Sequence, residues 1–237
     1  MILVIHHSQI DYFEHLMSAY FSKRYEVFFE RLKWKVQCSN GMEKDQYDSL
    51  NSTYLIQVNP KHGVSGGVRF LPTTEPYMLK NTFGFLAKDK FKAPEDKNII
   101  ESSRFFSLRE PSSDVQSLVS QTTYELVLGM LEYSLINSIK QIITVTDPKI
   151  VRIFTRMGWP LDILSESTDM QTGEKIVCGT WKVTKQYADA LREKSGIRGP
   201  VIWYPLGSDE KDTKEVLYHP SFRVDPLGVA ALRRRGI

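Results

Sequence analysis

Residues 99–108 read Ile99-Ile100-Glu101-Ser102-Ser103-Arg104-Phe105-Phe106-Ser107-Leu108 and carry an acid and a base inside an apolar, aromatic run. β-Branched and aromatic residues predict a strand of a buried sheet. An unpaired buried charge costs several kcal/mol, so Glu101 and Arg104 need nearby partners or a ligand. Strict alternation along a strand sends Glu101 and Ser103 to one face and Arg104 to the other. Either the two charges serve opposite faces of the sheet, or the strand bulges between them.

The elements around this strand predict a mixed sheet. Strand patterns occur at residues 2–5, 53–58, 66–72 and 141–145, with a hairpin at 163–165 and 175–183. Helical spacing covers residues 10–21, about 23–34 and 187–194, a long helix starts at 111–114, and Asp147-Pro148 starts one that ends at Gly158. We therefore predict an α/β fold with a single mixed, largely antiparallel twisted sheet flanked by helices on both faces. A site is expected where neighbouring strands splay or their order reverses.

Net charge, cysteine content and the N-terminal residues limit the kinds of binding partner that the protein is expected to have. A formal net charge of +3 over 237 residues does not indicate nucleic-acid binding, which needs a concentrated basic face. Cys38 and Cys178 have no metal-ligand spacing and predict a reducing cytoplasm. The opening apolar run at residues 1–5 is too short for a signal core or a membrane span, so no membrane partner is expected.

Charged and aromatic residues recur at several separated positions before and within the central strand. They are Arg24-x-x-Val27-Phe28, Trp34, Asp45-x-x-Asp48, Arg69-Phe70-Leu71-Pro72, Phe83 and Glu101-Ser102-Ser103-Arg104-Phe105. In this order and spacing the set resembles the N-acyl-homoserine lactone synthase family, the autoinducer synthases of bacterial quorum sensing. Later segments at 144–146 and 156–159 also look like the family, so the resemblance covers about residues 1 to 185. We predict a catalytic domain at residues 1–200 and a C-terminal extension of unassigned role at 201–237.

The resemblance implies a GNAT-like α-β-α sandwich and a two-step reaction. A fatty-acyl thioester on acyl carrier protein acylates the amino group of S-adenosylmethionine. The methionyl carboxylate then attacks its own γ-carbon, which expels methylthioadenosine and closes the lactone. S-adenosylmethionine is thus a substrate, no cofactor or metal is required, and the expected location is the bacterial cytoplasm.

Residue roles follow from the resemblance and from the charges of the substrate. The catalytic candidates are Glu101 as general base, with Arg104 and Ser103. The oxyanion is expected to meet backbone N–H groups near residues 105–107. Because S-adenosylmethionine carries charges of both signs, its pocket needs acids and bases, with aromatic rings for the adenine or sulfonium. The predicted S-adenosylmethionine-binding set is Arg24, Phe28, Trp34, Asp45, Asp48, Arg69 and Phe83.

Several of these assignments have structural alternatives. Arg24 and Asp48 could serve only to pair with Glu101 or Arg69 and hold the N-terminal segment on the sheet. Phe83 could pack around the substrate channel, and Trp34 could be an ordinary core residue.

The acyl chain requires an apolar tunnel. Its candidates, each of which would also suit an ordinary core, are Phe105, Leu126, Met130, Ile142, Thr144 and Trp181. In the family a threonine at the position of Thr144 tends to accompany 3-oxo-acyl chains, and its hydroxyl could donate to a chain carbonyl. Acyl carrier protein is acidic, and Lys149, Arg152 and Arg156 lie on one helix face by spacing. A solvated helix face explains those three cations equally well.

Two rival functions remain open at this stage. One is a GNAT-like N-acyltransferase that uses acyl-CoA and another amine. It has no evident need for so many charges, and the Arg/Gln-x-x-Gly-x-Gly/Ala pyrophosphate loop before a helix is absent from the sequence. The other is a non-catalytic homologue that binds an acyl carrier.

Overall fold

The protein is described here by a computed structural model that covers residues 1–108, 119–168 and 173–205. Within these ranges the strands are β1 (Ile2–His6), β2 (Cys38–Ser39), β3 (Met42–Glu43), β4 (Thr53–Asn59), β5 (Gly63–Pro72), β6 (Ile99–Ser107), β7 (Gln141–Thr146), β8 (Asp162–Thr168), β9 (Lys175–Lys182) and β10 (Ile202–Trp203). The α-helices are α1 (Glu14–Arg24), α2 (Met78–Asn81), α3 (Gln121–Ile136), α4 (Pro148–Met157) and α5 (Lys185–Ser195).

Eight of the described strands form one sheet in the order β10-β1-β4-β5-β6-β7-β9-β8. The β1–β10 and β6–β7 pairs are parallel, and the other pairs are antiparallel. The predicted mixed, largely antiparallel sheet is confirmed. β2 and β3 form a separate two-stranded hairpin.

Helices cover both faces of the sheet, as predicted. Successive side chains of β1 point to opposite faces of the sheet. Ile2 and Val4 pack with α3, α4 and α5, while Leu3 and Ile5 pack with α1. A further cluster on α2 and its neighbours covers the sheet near Ile143. The hydrophobic effect therefore holds the sheet between two layers of helices.

The N-terminal helices differ from the prediction. A 3₁₀-helix (His7–Phe13) leads into α1, which continues directly into a π-helix (Tyr25–Arg31). Their apolar residues recur at roughly helical spacing, and this pattern does not distinguish the three kinds of helix. The predicted residues are helical as far as Arg31, three residues short of the predicted end at about 34, and the hydrogen-bond pattern changes twice.

The later helices and the hairpin largely follow the sequence signals. α4 has Asp147 as its N-cap and Pro148 in its first turn, and it ends at Gly158 with φ 101°. β8 and β9 pair as the predicted hairpin. α3 is capped by Ser120, whereas the predicted start at 111–114 lies outside the described residues.

β10 extends the sheet past residue 200. Ile2 and Leu3 pair in register with Ile202 and Trp203. The buried carboxylate of Glu132 on α3 accepts the backbone N–H groups of Val201 and Ile202. The first residues of the predicted extension therefore belong to the sheet, and the division at residue 200 stays a prediction. Among the described residues, no helix combines the length and the apolar composition needed to cross a bilayer.

Candidate active site

The site lies where β6 and β7 separate. Their parallel pairing runs from Ile99–Gln141 to Ser102–Thr144. Beyond that point residues 103–107 of β6 and 145–146 of β7 both line a cavity of about 630 Å³. Separated parallel strands leave a gap between two layers of side chains, and ligand sites commonly occupy such gaps. The expected splayed-strand site is thus present in the structure.

β6 bulges at Arg104, which was one of the two alternatives for this strand. Arg69 of β5 lies opposite Ser103 and Gly67 lies opposite Phe106, so Arg104 and Phe105 together face one residue. Arg104 has φ 55°, a left-handed conformation that costs an arginine about 1–2 kcal/mol. The bulge resets the alternation, and the cavity lining includes Glu101, Ser103 and Arg104.

Six ionised side chains form one buried network, hereafter the charge cluster: Arg24, Glu43, Asp45, Asp48, Arg69 and Arg104. Arg24 is fully buried, and its Nε donates to Glu43 at 2.6 Å. Its terminal nitrogens hold both oxygens of Asp48, at 2.7 and 2.9 Å. Three arginines and three carboxylates balance in charge, which reduces the cost of their burial.

Arg69 and Arg104 meet at Asp45. Arg69 donates to the two oxygens of Asp45 at 2.5 and 3.0 Å, and its Nε donates to the hydroxyl of Ser103 at 3.1 Å. Arg104 donates to Asp45 at 2.9 Å and to Glu43 at 3.0 Å. The side chain of Asp45 is 11% exposed, so Asp45 and Arg104 are the members of the cluster that border the cavity.

The pKa values follow from these contacts. Burial opposes ionisation of Asp48, but Arg24 and Arg69 together hold the pKa of that carboxyl well below its usual range. Burial likewise opposes the charge of Arg24, and Asp48 and Glu43 hold the pKa of its guanidinium well above the usual value. Both shifts favour the charged forms of Asp48 and Arg24.

Short elements carry the acids of the cluster. Glu43 ends the β2–β3 hairpin, and a 3₁₀-helix (Gln46–Ser49) follows with Asp45 as its N-cap. Asp45 accepts the N–H of Tyr47, and Asp48 accepts the N–H of Asp45, which is a capping box. The sequence analysis assigned no helix or strand to residues 43–48, because two-residue strands and one helical turn have no periodicity to detect.

Glu101 is buried beside the cluster, and none of the arginines in the described part of the chain forms an ion pair with it. Its two oxygens accept the backbone N–H groups of Met78 at 2.8 Å and Leu79 at 2.6 Å, in the first turn of α2. Burial raises the pKa of Glu101 to about 7, against the lowering effect of these two hydrogen bonds. A carboxyl group that titrates near neutrality at a cavity wall can accept a proton there.

Phe28 and Trp34, the rings expected to contact the adenine or the sulfonium, contact each other in this structure. Phe28 and Trp34 stack on each other with centroids 5.1 Å apart and planes at 22°. The guanidinium of Arg104 lies 5.7 Å from the centroid of Phe28, which is fully buried. An adenine between Phe28 and Trp34 requires the two rings to part. Phe83 lines the cavity and meets Phe85 edge-on at 6.3 Å.

An apolar pocket lies on the other side of the strand gap. Four of the six predicted acyl-chain residues line the cavity there, namely Phe105, Met130, Thr144 and Trp181. Phe154 of α4 packs against the rings of Phe105 and Trp181 at 5.2 and 4.9 Å. Leu126 and Ile142 are fully buried in the adjoining core and are absent from the lining.

Thr144 already uses its hydroxyl hydrogen. Its Oγ1 donates to the carbonyl oxygen of Ser102 at 3.1 Å, at the last register pair before the strands separate. A threonine hydroxyl has one hydrogen, so donation to an acyl-chain carbonyl requires this bond to break. The hydroxyl oxygen retains capacity to accept.

The three predicted docking cations are exposed on α4. Lys149 also lines the cavity and lies 3.6 Å from Asp147. Arg152 and Arg156 are exposed, and they lie outside the cavity lining.

Two features of the site were missed at the sequence level. Glu43 is fully buried and joins Arg24 to Arg104, and its only sequence signal was its place in an acidic segment. The amides of Met78 and Leu79 hold Glu101, and backbone donors have no sequence signature.

A mixed sheet with helices on both faces, whose parallel strands β6 and β7 part over a charged and apolar cavity, defines a GNAT-like acyltransferase fold. The sequence model of the autoinducer synthase family ("Autoinducer synthase") matches residues 9–191. The acyl-homoserine-lactone synthase of Aliivibrio fischeri is 33% identical over 171 residues, which cover 72% of this chain and 88% of the relative.

Solved structures show the same likeness. The AHL synthase LasI is 30% identical with a TM-score of 0.68, covering 81% of this chain and 94% of its own. The fold is also shared with BjaI, described as a CoA-dependent acyl-homoserine lactone synthase with SAM and isopentyl-CoA, at a TM-score of 0.77 and 23% identity, covering 92% and 99% of the two chains. The chain belongs to the autoinducer synthase family and is an acyltransferase.

Proposed function

We propose that the protein is an acyl-homoserine-lactone synthase that acylates the amine of S-adenosylmethionine from acyl carrier protein and then closes the lactone with release of methylthioadenosine. The observation that carries the proposal is the single cavity at the parting of β6 and β7. Charged and aromatic groups border it on one side, and an apolar pocket borders it on the other. S-adenosylmethionine, which carries charges of both signs, suits the charged side of the cavity, and the fatty-acyl chain suits the apolar side. The reacting atoms of the two substrates then meet between the two sides.

Within the charge cluster the roles divide by exposure. Asp45 and Arg104 border the cavity and suit the cationic groups and the carboxylate of S-adenosylmethionine. Arg24, Asp48 and Arg69 are buried behind them and act as positioning residues, which favours the structural alternative for Arg24 and Asp48.

The amine must lose a proton before it attacks the thioester. A model α-amino group has a pKa of about 8, so modest assistance suffices at neutral pH. Glu101, with its pKa raised to about 7, accepts this proton directly or through one water. Ser103 accepts a hydrogen bond from Arg69, so its own hydroxyl hydrogen is available to the substrate.

Lactone closure is an intramolecular displacement, in which the carboxylate oxygen bonds to the γ-carbon as the carbon–sulfur bond breaks. Arg104 at the cavity wall holds the carboxylate in the folded conformation that this attack requires. Phe28 is covered by Trp34 and Arg104, so the adenine is assigned to the ring of Trp34, which lines the cavity. The ion pairs of Arg104 and the stacking of Phe28 on Trp34 hold these side chains in place before the substrate binds.

The acyl donor is the finer point of the proposal. BjaI is described as CoA-dependent, so family membership alone leaves carrier protein and CoA as alternatives. The exposed cations Lys149, Arg152 and Arg156 on α4 favour an acidic carrier protein. The GNAT pyrophosphate loop is absent from the sequence, which also favours a carrier protein over CoA as the acyl donor. The cytoplasm of a bacterium is the proposed location, since both substrates are made there.

The experiment mixes purified protein with S-adenosylmethionine and a panel of acyl donors, as acyl carrier proteins and as acyl-CoAs of matched chain lengths. Methylthioadenosine and lactone are followed by mass spectrometry. We expect both products in equal amounts, with higher kcat/KM for the carrier-bound donors. Acyl transfer to another amine without lactone would favour the GNAT-like N-acyltransferase, and no turnover with any donor would favour the non-catalytic homologue.

A further inference from the structure

The cavity has a second basic border besides α4. Residues 29–35, which end the π-helix and lead out of it, expose Phe29, Glu30, Arg31, Leu32, Lys33 and Lys35. The apolar and basic members of this set, which are all but Glu30, are called the rim strip. Arg31, Leu32 and Lys35 line the cavity. The strip therefore lies at the entrance through which an acyl chain reaches the pocket.

The cations of the rim strip have no anionic partner among the described residues. Arg31, Lys33 and Lys35 take part in none of the ion pairs there, whereas nearby Lys23 pairs with Glu26 at 2.6 Å. Beside them Phe29 is 43% exposed and Leu32 is 41% exposed. Unpaired cations around exposed apolar side chains are typical of a surface that binds an acidic protein.

The two basic borders belong to one cavity. Lys149 of α4 lines the same cavity as Arg31 and Lys35. An acyl chain tethered to a carrier protein enters the pocket only if the carrier sits over this entrance. A carrier protein that meets Lys149 of α4 at this cavity therefore sits at a cavity that the rim strip also lines.

We infer that the rim strip is the second half of the docking surface for an acidic acyl carrier protein, an inference that rests on the proposed function. Cations from the strip and from α4 flank the entrance and meet acidic side chains of the carrier, and Phe29 and Leu32 provide apolar contact between them. Trp34 lies between Lys33 and Lys35 in the same segment, so the carrier binds directly beside the proposed adenine site.

The test reverses charge on the strip with the double variant Arg31→Glu/Lys35→Glu. Lactone formation is measured against the concentration of acyl carrier protein. We expect the KM for the carrier to rise about tenfold, which is about 1.4 kcal/mol, and the salt dependence of kcat/KM to weaken. The charge-matched control is Lys61→Glu/Lys97→Glu, whose residues are exposed, outside the cavity lining and without an ion pair among the described residues.

A second measurement separates docking from damage to the fold. An acyl-pantetheine thioester has no protein surface, so its kcat/KM should fall far less than that of the carrier in the same double variant. Phe29→Ser should raise the carrier KM in the same direction. Lys33→Glu, which lies outside the cavity lining, serves if the double variant folds poorly.

The outcomes of the two proposals are distinguishable. Wild-type protein that makes no lactone from any donor overturns the proposed function. Wild-type lactone synthesis together with equal carrier KM values in the strip variant and its control overturns the rim-strip inference alone. Equal losses of kcat/KM with the carrier and with acyl-pantetheine also overturn the rim-strip inference, since the strip would then affect the reaction of a donor that has no protein surface.

Discussion

Glu101 combines deep burial with direct access to the cavity wall. It is 1% exposed and accepts two backbone hydrogen bonds, yet its pKa is raised to about 7 because burial outweighs those bonds. The neighbouring carboxylates Asp48 and Asp45 instead are paired with arginines. One residue of the site is thereby left free to exchange a proton near neutral pH.

The raised pKa of Glu101 predicts a pH effect on stability. A carboxyl whose folded pKa lies above its unfolded value of 4.5 stabilises the protein below that value, and this contribution is lost as the pH rises through about 7. The difference of about 2.5 units corresponds to roughly 3 kcal/mol. Urea unfolding of wild type and Glu101→Gln at pH 5 and pH 7.5 measures it, and wild type should lose stability relative to the variant at the higher pH.

The same variant tests catalysis. Glu101→Gln should bind S-adenosylmethionine, as measured by calorimetry, and should lose lactone formation by at least about a hundredfold, the usual scale for a general base. Wild-type turnover in this variant would remove Glu101 from the proposed role.

The hydroxyl of Thr144 is predicted to influence whether the enzyme uses 3-oxo or unsubstituted acyl chains. Thr144→Val removes the hydroxyl, leaves the carbonyl of Ser102 without its partner, and should abolish any preference for 3-oxo over unsubstituted chains. Competition between matched 3-oxo and saturated donors, read by mass spectrometry, measures the ratio of products. Thr180→Val, also on the sheet but outside the cavity lining, is the control. An unchanged product ratio would contradict the assignment.

At the scale of elements, the β2–β3 hairpin and the 3₁₀-helix after it hold the charge cluster. They are too short to be stable alone, since an isolated hairpin is marginal in water. Their acids bind arginines from three other elements, so Arg24 of α1, Arg69 of β5 and Arg104 of β6 converge on one segment. The cluster thus ties the N-terminal segment to the sheet.

Glu43 should therefore matter for stability as well as activity. Glu43→Gln removes one charge from a buried network and leaves Arg24 and Arg104 short of an anion, which should cost about 3 kcal/mol. Urea unfolding measures the loss. Glu95→Gln, which breaks the exposed pair with Lys80, should leave the unfolding midpoint unchanged. Equal effects of the two substitutions would mean that the cluster does not stabilise the fold.

At the scale of the molecule, β10 joins the end of the described chain to its beginning. Glu132 accepts the amides of Val201 and Ile202 and also pairs with Arg192 of α5. Burial raises the pKa of Glu132, so these contacts compensate a carboxylate held in an unfavourable environment. The strand is two residues long, and side-chain contacts from α3 hold it in place.

Truncation tests this arrangement. A chain ended after Pro200 loses β10 and two partners of Glu132, whereas one ended after Pro205 keeps them. We expect the shorter chain to be less stable by about 2 kcal/mol, the cost of unsatisfied buried polar groups. Thermal unfolding of the two chains compares them, and equal midpoints would support a domain boundary at residue 200.

Much of the architecture could be predicted because the spacing of apolar residues and the capping residues along the chain indicate its helices and strands. The apolar run of β1, the β-forming residues of β9, the Asp147-Pro148 cap and Gly158 are local signals, and they marked elements within a few residues. The 3₁₀- and π-segments could not be predicted, since they differ from an α-helix in hydrogen bonding and share its apolar spacing.

The sequence by itself determined the class of fold, the family and most of the ionised residues of the site, because periodicity and residue type are local properties of the chain. Only the tertiary structure decided that β6 bulges at Arg104, that Glu43 completes the charge cluster and that backbone amides hold Glu101. These features depend on which distant segments meet. Pairing across the fold sets register, burial and pKa, and no stretch of sequence encodes such pairing alone.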